Sequence, residues 1–76
     1  SPREIFLEAI NAHASNLILL HNHPSGDPTP SNEDIKTTRR LSEVGRLVGI
    51  PILDHIIIDC NSYYSFMENH NSPELL

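Results

Sequence analysis

The stretch LILLHNHPSGDPTPSNED, Leu17 to Asp34, runs from an aliphatic segment through two histidines and a proline-rich segment into a helix-opening pattern. Leu17 to Asn22 reads as a strand, buried where it is aliphatic. Pro24, Pro28, Pro30 and Gly26 rule out regular structure over residues 24–30. They also stiffen the loop, which lowers the entropy lost when its ends are fixed. Ser31-Asn32-Glu33-Asp34 has the spacing of a helix N-cap followed by an acid in the first turn. A strand, a stiff connection and a helix make one unit of an α/β fold.

Side chains at i and i+2 of a strand lie on one face, so His21 and His23 project together. Asp34 enters from the first turn of the helix. Two imidazoles and a carboxylate from separate elements are the ligand set of an open zinc site. Three protein ligands plus water is the catalytic arrangement, whereas a structural zinc has four closed ligands. Plainer readings compete. Two polar residues at a strand end can cap a loop, and Asp34 beside Ser31 suits a helix N-terminus with or without a metal. A fourth ligand such as Asp27 would close the site and make it structural.

Upstream, Ser1-Pro2-Arg3-Glu4 predicts a helix start with a capping box. Ile5, Phe6, Ala9, Ile10 and Ala12/His13 give an apolar stripe through about residue 14. Downstream, a second helix is expected from about Ser31 to Val48. Its inward face is Ile35, Leu41, Val44 and Val48, with Thr38 and Gly45 as small contacts, and Gly49 and Pro51 end it. Ile52 to Asp59 predicts a second strand, apolar on both faces at Ile56, Ile57 and Ile58. Cys60-Asn61-Ser62 makes a turn, and Tyr63 to Phe66 a third strand in a hairpin with the second. Residues 1–68 then form one domain, and residues 69–76 a polar tail expected to be disordered or held by a partner. The order α-β-α-β-β gives an α/β fold in which a small mixed sheet is flanked by helices. With so few strands it reads as part of a larger sheet.

Seventy-six residues with 38% hydrophobic content lie near the lower limit for a self-stabilising core. The formal charge of −5 argues against a general nucleic-acid binder. Lys36, Arg39 and Arg40 form the one basic cluster, read first as a solvated helix face and second as phosphate contacts. Cys60 is the single cysteine, so no intrachain disulfide is available. No apolar run approaches the roughly 20 residues that span a bilayer, and no secretory signal opens the chain. A cytoplasmic location is expected.

At His21-Asn22-His23-Pro24-Ser25-Gly26 and Pro30-Ser31 followed by Asp34, the chain resembles the JAMM metalloprotease motif in its bacterial RadC form. His-x-His, a spacer, Ser, two residues and Asp fit at positions 21, 23, 31 and 34 without a gap. Arg3-Glu4-Ile5-Phe6 ahead and Leu53-Asp54-His55-Ile56-Ile57-Ile58 behind fit as well, so the likeness covers about residues 2–68. The resemblance implies an MPN (JAB) fold with a curved mixed sheet between helices. It implies one zinc ion on His21, His23 and Asp34, and Ser31 as the catalytic residue supporting the oxyanion or the water. The family's general base is a glutamate on a strand upstream of the first helix. The chain is therefore expected to be the C-terminal part of such a domain, lacking the opening strands. Glu4, Glu8 and Glu33 are not expected to replace that base.

Two functions follow as expectations. The first is a zinc-dependent hydrolase acting on peptide or isopeptide bonds, in which zinc polarises the carbonyl and lowers the pKa of its water to about 7. Histidine ligates only when neutral, so affinity should fall at acid pH. Asp27, Asp54 or backbone carbonyls are expected to hold the second nitrogens of the imidazoles. Asp54 and His55 are otherwise read as a satisfied interior pair, and His13 and His70 as surface residues. The alternative is a non-catalytic module serving as a protein-binding or DNA-repair accessory. An exposed sheet edge left by absent strands predicts self-association.

Overall fold

In the computed structural model, which describes residues 1–76, the aliphatic run forms its strand where the sequence places it, as β1 (Leu17–Asn22). Ahead of it lies α1 (Pro2–Asn11), and behind it come α2 (Asn32–Val48), β2 (Ile52–Ile58), β3 (Tyr63–Ser65) and a 3-10 turn at Pro73–Leu75. The sheet order is β1-β2-β3, with β1 and β2 parallel and β2 and β3 antiparallel. This is the expected mixed α/β arrangement, including the β2–β3 hairpin. Asp59 shapes the hairpin turn, its carboxylate accepting the backbone N–H groups of Asn61 and Ser62.

The sheet has one covered face and one open face. Leu17 and Leu19 pack towards Phe6, Ala9, Leu41, Ile50 and Ile52, residues of both helices and the start of β2. Ile18 and Leu20, which alternate with them, are 56% and 69% exposed. The second strand behaves likewise, because His55 and Ile57 are buried while Leu53 and Ile58 are not. The expectations that β1 is buried along its aliphatic run and that β2, apolar on both faces, is buried on both are thus corrected: both helices cover the same side. β1 is also an edge strand of this three-stranded sheet.

Local details depart from the sequence reading at four points. First, α1 stops at Asn11 rather than near residue 14, because His13 takes a left-handed φ of 57° and the Ala14 N–H turns back to Ala9. Second, Pro2 does occupy the first turn, but the Ser1 side chain makes no capping hydrogen bond, so the expected box with Glu4 is absent. Third, the inward face of α2 is Asp34, Thr38, Leu41, Ser42 and Gly45, while Val48 is 45% exposed. Fourth, the tail is ordered: Pro73 is fully buried where the 3-10 turn packs on α2 and β2.

Helix α2 ends as expected, with Gly49 in the left-handed region at φ 79°. Gly45 has a different reason to be glycine. A Cβ there would stand 2.5 Å from the Ile50 carbonyl oxygen and 3.4 Å from the Phe6 ring. Gly45→Ala is expected to destabilise the fold by about 1–3 kcal/mol, even though alanine favours helix by up to ~1 kcal/mol. Urea unfolding measures it, and an unchanged midpoint would mean the Ile50 segment yields freely.

Candidate metal centre

Strand pleating, a loop carbonyl and a helix cap each aim one side chain at a common point. His21 and His23 leave the covered face at the C-terminal end of β1. The His23 ring is held from behind, its Nδ1 lying 3.1 Å from the Asp27 carbonyl oxygen. A carbonyl only accepts, so Nδ1 carries the proton there and Nε2 is the nitrogen turned towards Asp34. Asp34 is held by a complete capping box. Its backbone N–H donates to Ser31 Oγ at 3.1 Å, and its Oδ2 accepts the Ser31 N–H at 2.7 Å. Capping thus fixes the carboxylate at the helix start, as the Ser-x-x-Asp spacing predicts.

The three groups meet. His21 Nδ1 lies 3.3 Å from Asp34 Oδ1, and His23 Nε2 lies 3.1 Å from Asp34 Oδ2. Asp34 is 8% exposed. All three ligand atoms fall within 4.8 Å of one another. With His23 Nδ1–H committed to Asp27, its Nε2 faces a carboxylate. Such an arrangement is repulsive unless a proton or a cation lies between them. Two ligands about 2.0–2.1 Å from a tetrahedral zinc stand roughly 3.3 Å apart, so the spacing suits an ion of that size. Burial pushes the Asp34 carboxyl up, but the Ser31 N–H, the Ser31 hydroxyl and the two imidazoles outweigh it. The net result lies below the ordinary carboxylate value, so Asp34 is charged and ready to ligate.

Other expected participants fall elsewhere. Asp27 contributes its backbone carbonyl to His23, while its carboxylate accepts the Thr29 N–H, so it does not close the site as a fourth ligand. Asp54 accepts from Ser65 Oγ and the Met67 N–H and so anchors the chain after β3, not an imidazole. Glu33 is exposed and turned to Lys36 at 3.9 Å, and no glutamate joins the cluster. Lys36 of the basic cluster is partly neutralised by that contact. The Ser31 hydroxyl accepts the Asp34 N–H.

His55 is the neighbour whose position the sequence did not reveal. It is 4% exposed, paired through Nδ1 with Thr38 Oγ1, and stacked between His21 and Phe66. Burial, with the nearby His21, holds its imidazole below the ordinary value, so it is neutral. Its signal in the sequence was a lone histidine within a run of isoleucines, which reads as an interior residue and nothing more.

The sequence match agrees with the geometry. A family model described as the RadC-like JAB domain matches residues 1–72. The chain belongs to this family. UPF0758 proteins are the curated RadC-like relatives. That of Halalkalibacterium halodurans is 56% identical over 72 residues, covering 95% of this chain and 31% of the relative. Those of Alkaliphilus metalliredigens and Desulfitobacterium hafniense are each 61% identical over 67 residues, covering 88% of this chain and 29% and 30% of the relatives. The chain therefore spans about a third of the length of these RadC-like relatives, whose names state no activity. A JAB domain accords with metal use, and His21, His23 and Asp34 are the group in this chain suited to it. No helix is long and apolar enough to cross a membrane.

Proposed function

We propose that the chain carries the metal-binding part of a JAMM-type hydrolase centre acting on peptide or isopeptide bonds, with one zinc ion on His21, His23 and Asp34. The observation that carries the reading is the convergence of His21 Nδ1, His23 Nε2 and the Asp34 carboxylate within 4.8 Å of one another, with the His23 ring aimed by the Asp27 carbonyl. A divalent ion bound there supplies Lewis acidity towards a carbonyl and towards water. The residues of the chain do the remaining work. Asp34 holds its charge at the helix start, the Asp27 carbonyl fixes the His23 tautomer, and the stiff proline loop keeps strand and helix in register. Ser31, at the start of α2 beside Asp34, is the hydroxyl that would donate to a developing oxyanion.

The expected result is uptake of one cobalt or zinc ion per chain, reversed by chelator and lost in His23→Ala with the far-ultraviolet circular dichroism retained. Equal binding by the wild type and His23→Ala would sink the site. Cleavage of peptide or isopeptide substrates by the zinc-loaded chain, stopped by chelator, tests the chemistry. The alternative is a non-catalytic module that keeps the metal. Zinc uptake without any cleavage would support that reading against the first.

A further inference from the structure

We infer that His55 is a positioning residue of the metal centre, a single buried imidazole that aims His21 by ring stacking and braces Asp34 through Thr38. The inference rests on the proposed metal site and names a determinant of its affinity.

The three ligands are not secured alike. His23 has the Asp27 carbonyl behind it, and Asp34 has its capping box. His21 has neither: its Nδ1 faces Asp34, its second nitrogen makes no hydrogen bond within the chain, and its side chain is 44% exposed. Packing is what remains to set its ring plane. Below it lies His55, with ring centroids 5.9 Å apart and planes 17° from parallel. The β1–β2 register explains this, because His21 pairs with Ile57 and Leu19 with His55, all on the covered face.

His55 is itself fixed on two sides. Phe66 stacks beneath it at 5.0 Å with an interplanar angle of 9°. Thr38 Oγ1 lies against its Nδ1 and also 2.8 Å from the Asp34 carbonyl oxygen. A threonine hydroxyl has one proton, and the carbonyl can only accept. That proton therefore goes to Asp34, and His55 must donate Nδ1–H to Thr38. A satisfied core histidine would need one such bond. This one joins strand β2 to ligands on both β1 and α2, which gives an imidazole in a run of isoleucines a purpose beyond packing.

Two variants and one wild-type measurement test the inference. His55→Gln keeps a hydrogen-bond donor and loses the ring; Thr38→Val keeps the ring and loses the brace. Cobalt titration should show His55→Gln weakened by about 10–100-fold, the range for residues that orient ligands, with a changed visible cobalt spectrum. Thr38→Val should weaken binding less. In the wild type, long-range proton–nitrogen correlation should find His55 protonated on Nδ1. Folded variants that bind within about two-fold of wild type with the same spectrum would overturn the inference while leaving the metal site standing. An Nε2–H tautomer would overturn it as well, and would do so even if His55→Gln failed to fold. A wild-type chain that takes up no cobalt overturns the metal centre and this inference together.

Discussion

Asp34→Ala is expected to abolish the proposed divalent-ion binding and to weaken the fold in the same stroke, because one carboxylate both faces the imidazoles and closes the capping box. Loss of the cap costs about 0.5–2 kcal/mol. Loss of an anionic ligand should cost more than the roughly 100-fold upper range for residues behind the ligands. Asp34→Asn separates the two effects, since an amide oxygen still accepts the Ser31 N–H but carries no charge. It should keep most of the stability and lose the metal, as calorimetry and thermal unfolding would show. Asparagine at 34 with near-normal zinc affinity would remove Asp34 from the ligand set.

The same carboxylate sets a pH dependence for the metal-free protein. Its folded value lies below the ordinary 3.8, because the Ser31 donors and the imidazoles outweigh the opposing effect of burial. In that window the unfolded chain binds more protons, so stability rises with pH. The contribution is complete above about pH 4 and is lost as pH falls through the lower folded value. Asp34→Asn should flatten that part of an acid-unfolding curve.

Phe66→Ala carries the largest expected loss of stability. The ring has no exposed surface, stacks on His55 at 5.0 Å and meets Tyr64 edge-on at 5.5 Å. Removing a buried phenylalanine costs about 3–5 kcal/mol. Small domains hold on the order of 5–15 kcal/mol in all, the low end for chains of this size. At ~4–8 °C per kcal/mol, the thermal midpoint should drop by more than about 12 °C. Phe66→Leu should recover much of the loss. A midpoint for Phe66→Ala within a few degrees of wild type would mean that neighbouring side chains refill the space.

The convergence of His21, His23 and Asp34 was legible because its geometry is local. The i, i+2 spacing of His21 and His23 depends only on the pleat of one strand, and the Ser31–Asp34 box only on the first turn of one helix. The motif match at the same residues drew on that spacing. Gly49 and Pro51 marked the end of α2 for equally local reasons. His55 was hidden because its role depends on the parallel register of β1 and β2, set by packing between segments far apart in the chain. The inward face of α2 was misjudged at Val48 for a related reason. The helix turns Asp34, Thr38 and Ser42 inward, and Asp34 and Thr38 find hydrogen-bond partners there.

The sequence alone determined the order of elements, the caps of α2 and the two histidines on one face, since each follows from backbone geometry within a few residues. The tertiary structure decided which side of the sheet the helices cover, the burial of Pro73 and the stack of His21, His55 and Phe66. Those outcomes depend on which apolar surfaces find one another once the chain folds back, and no single segment carries that information.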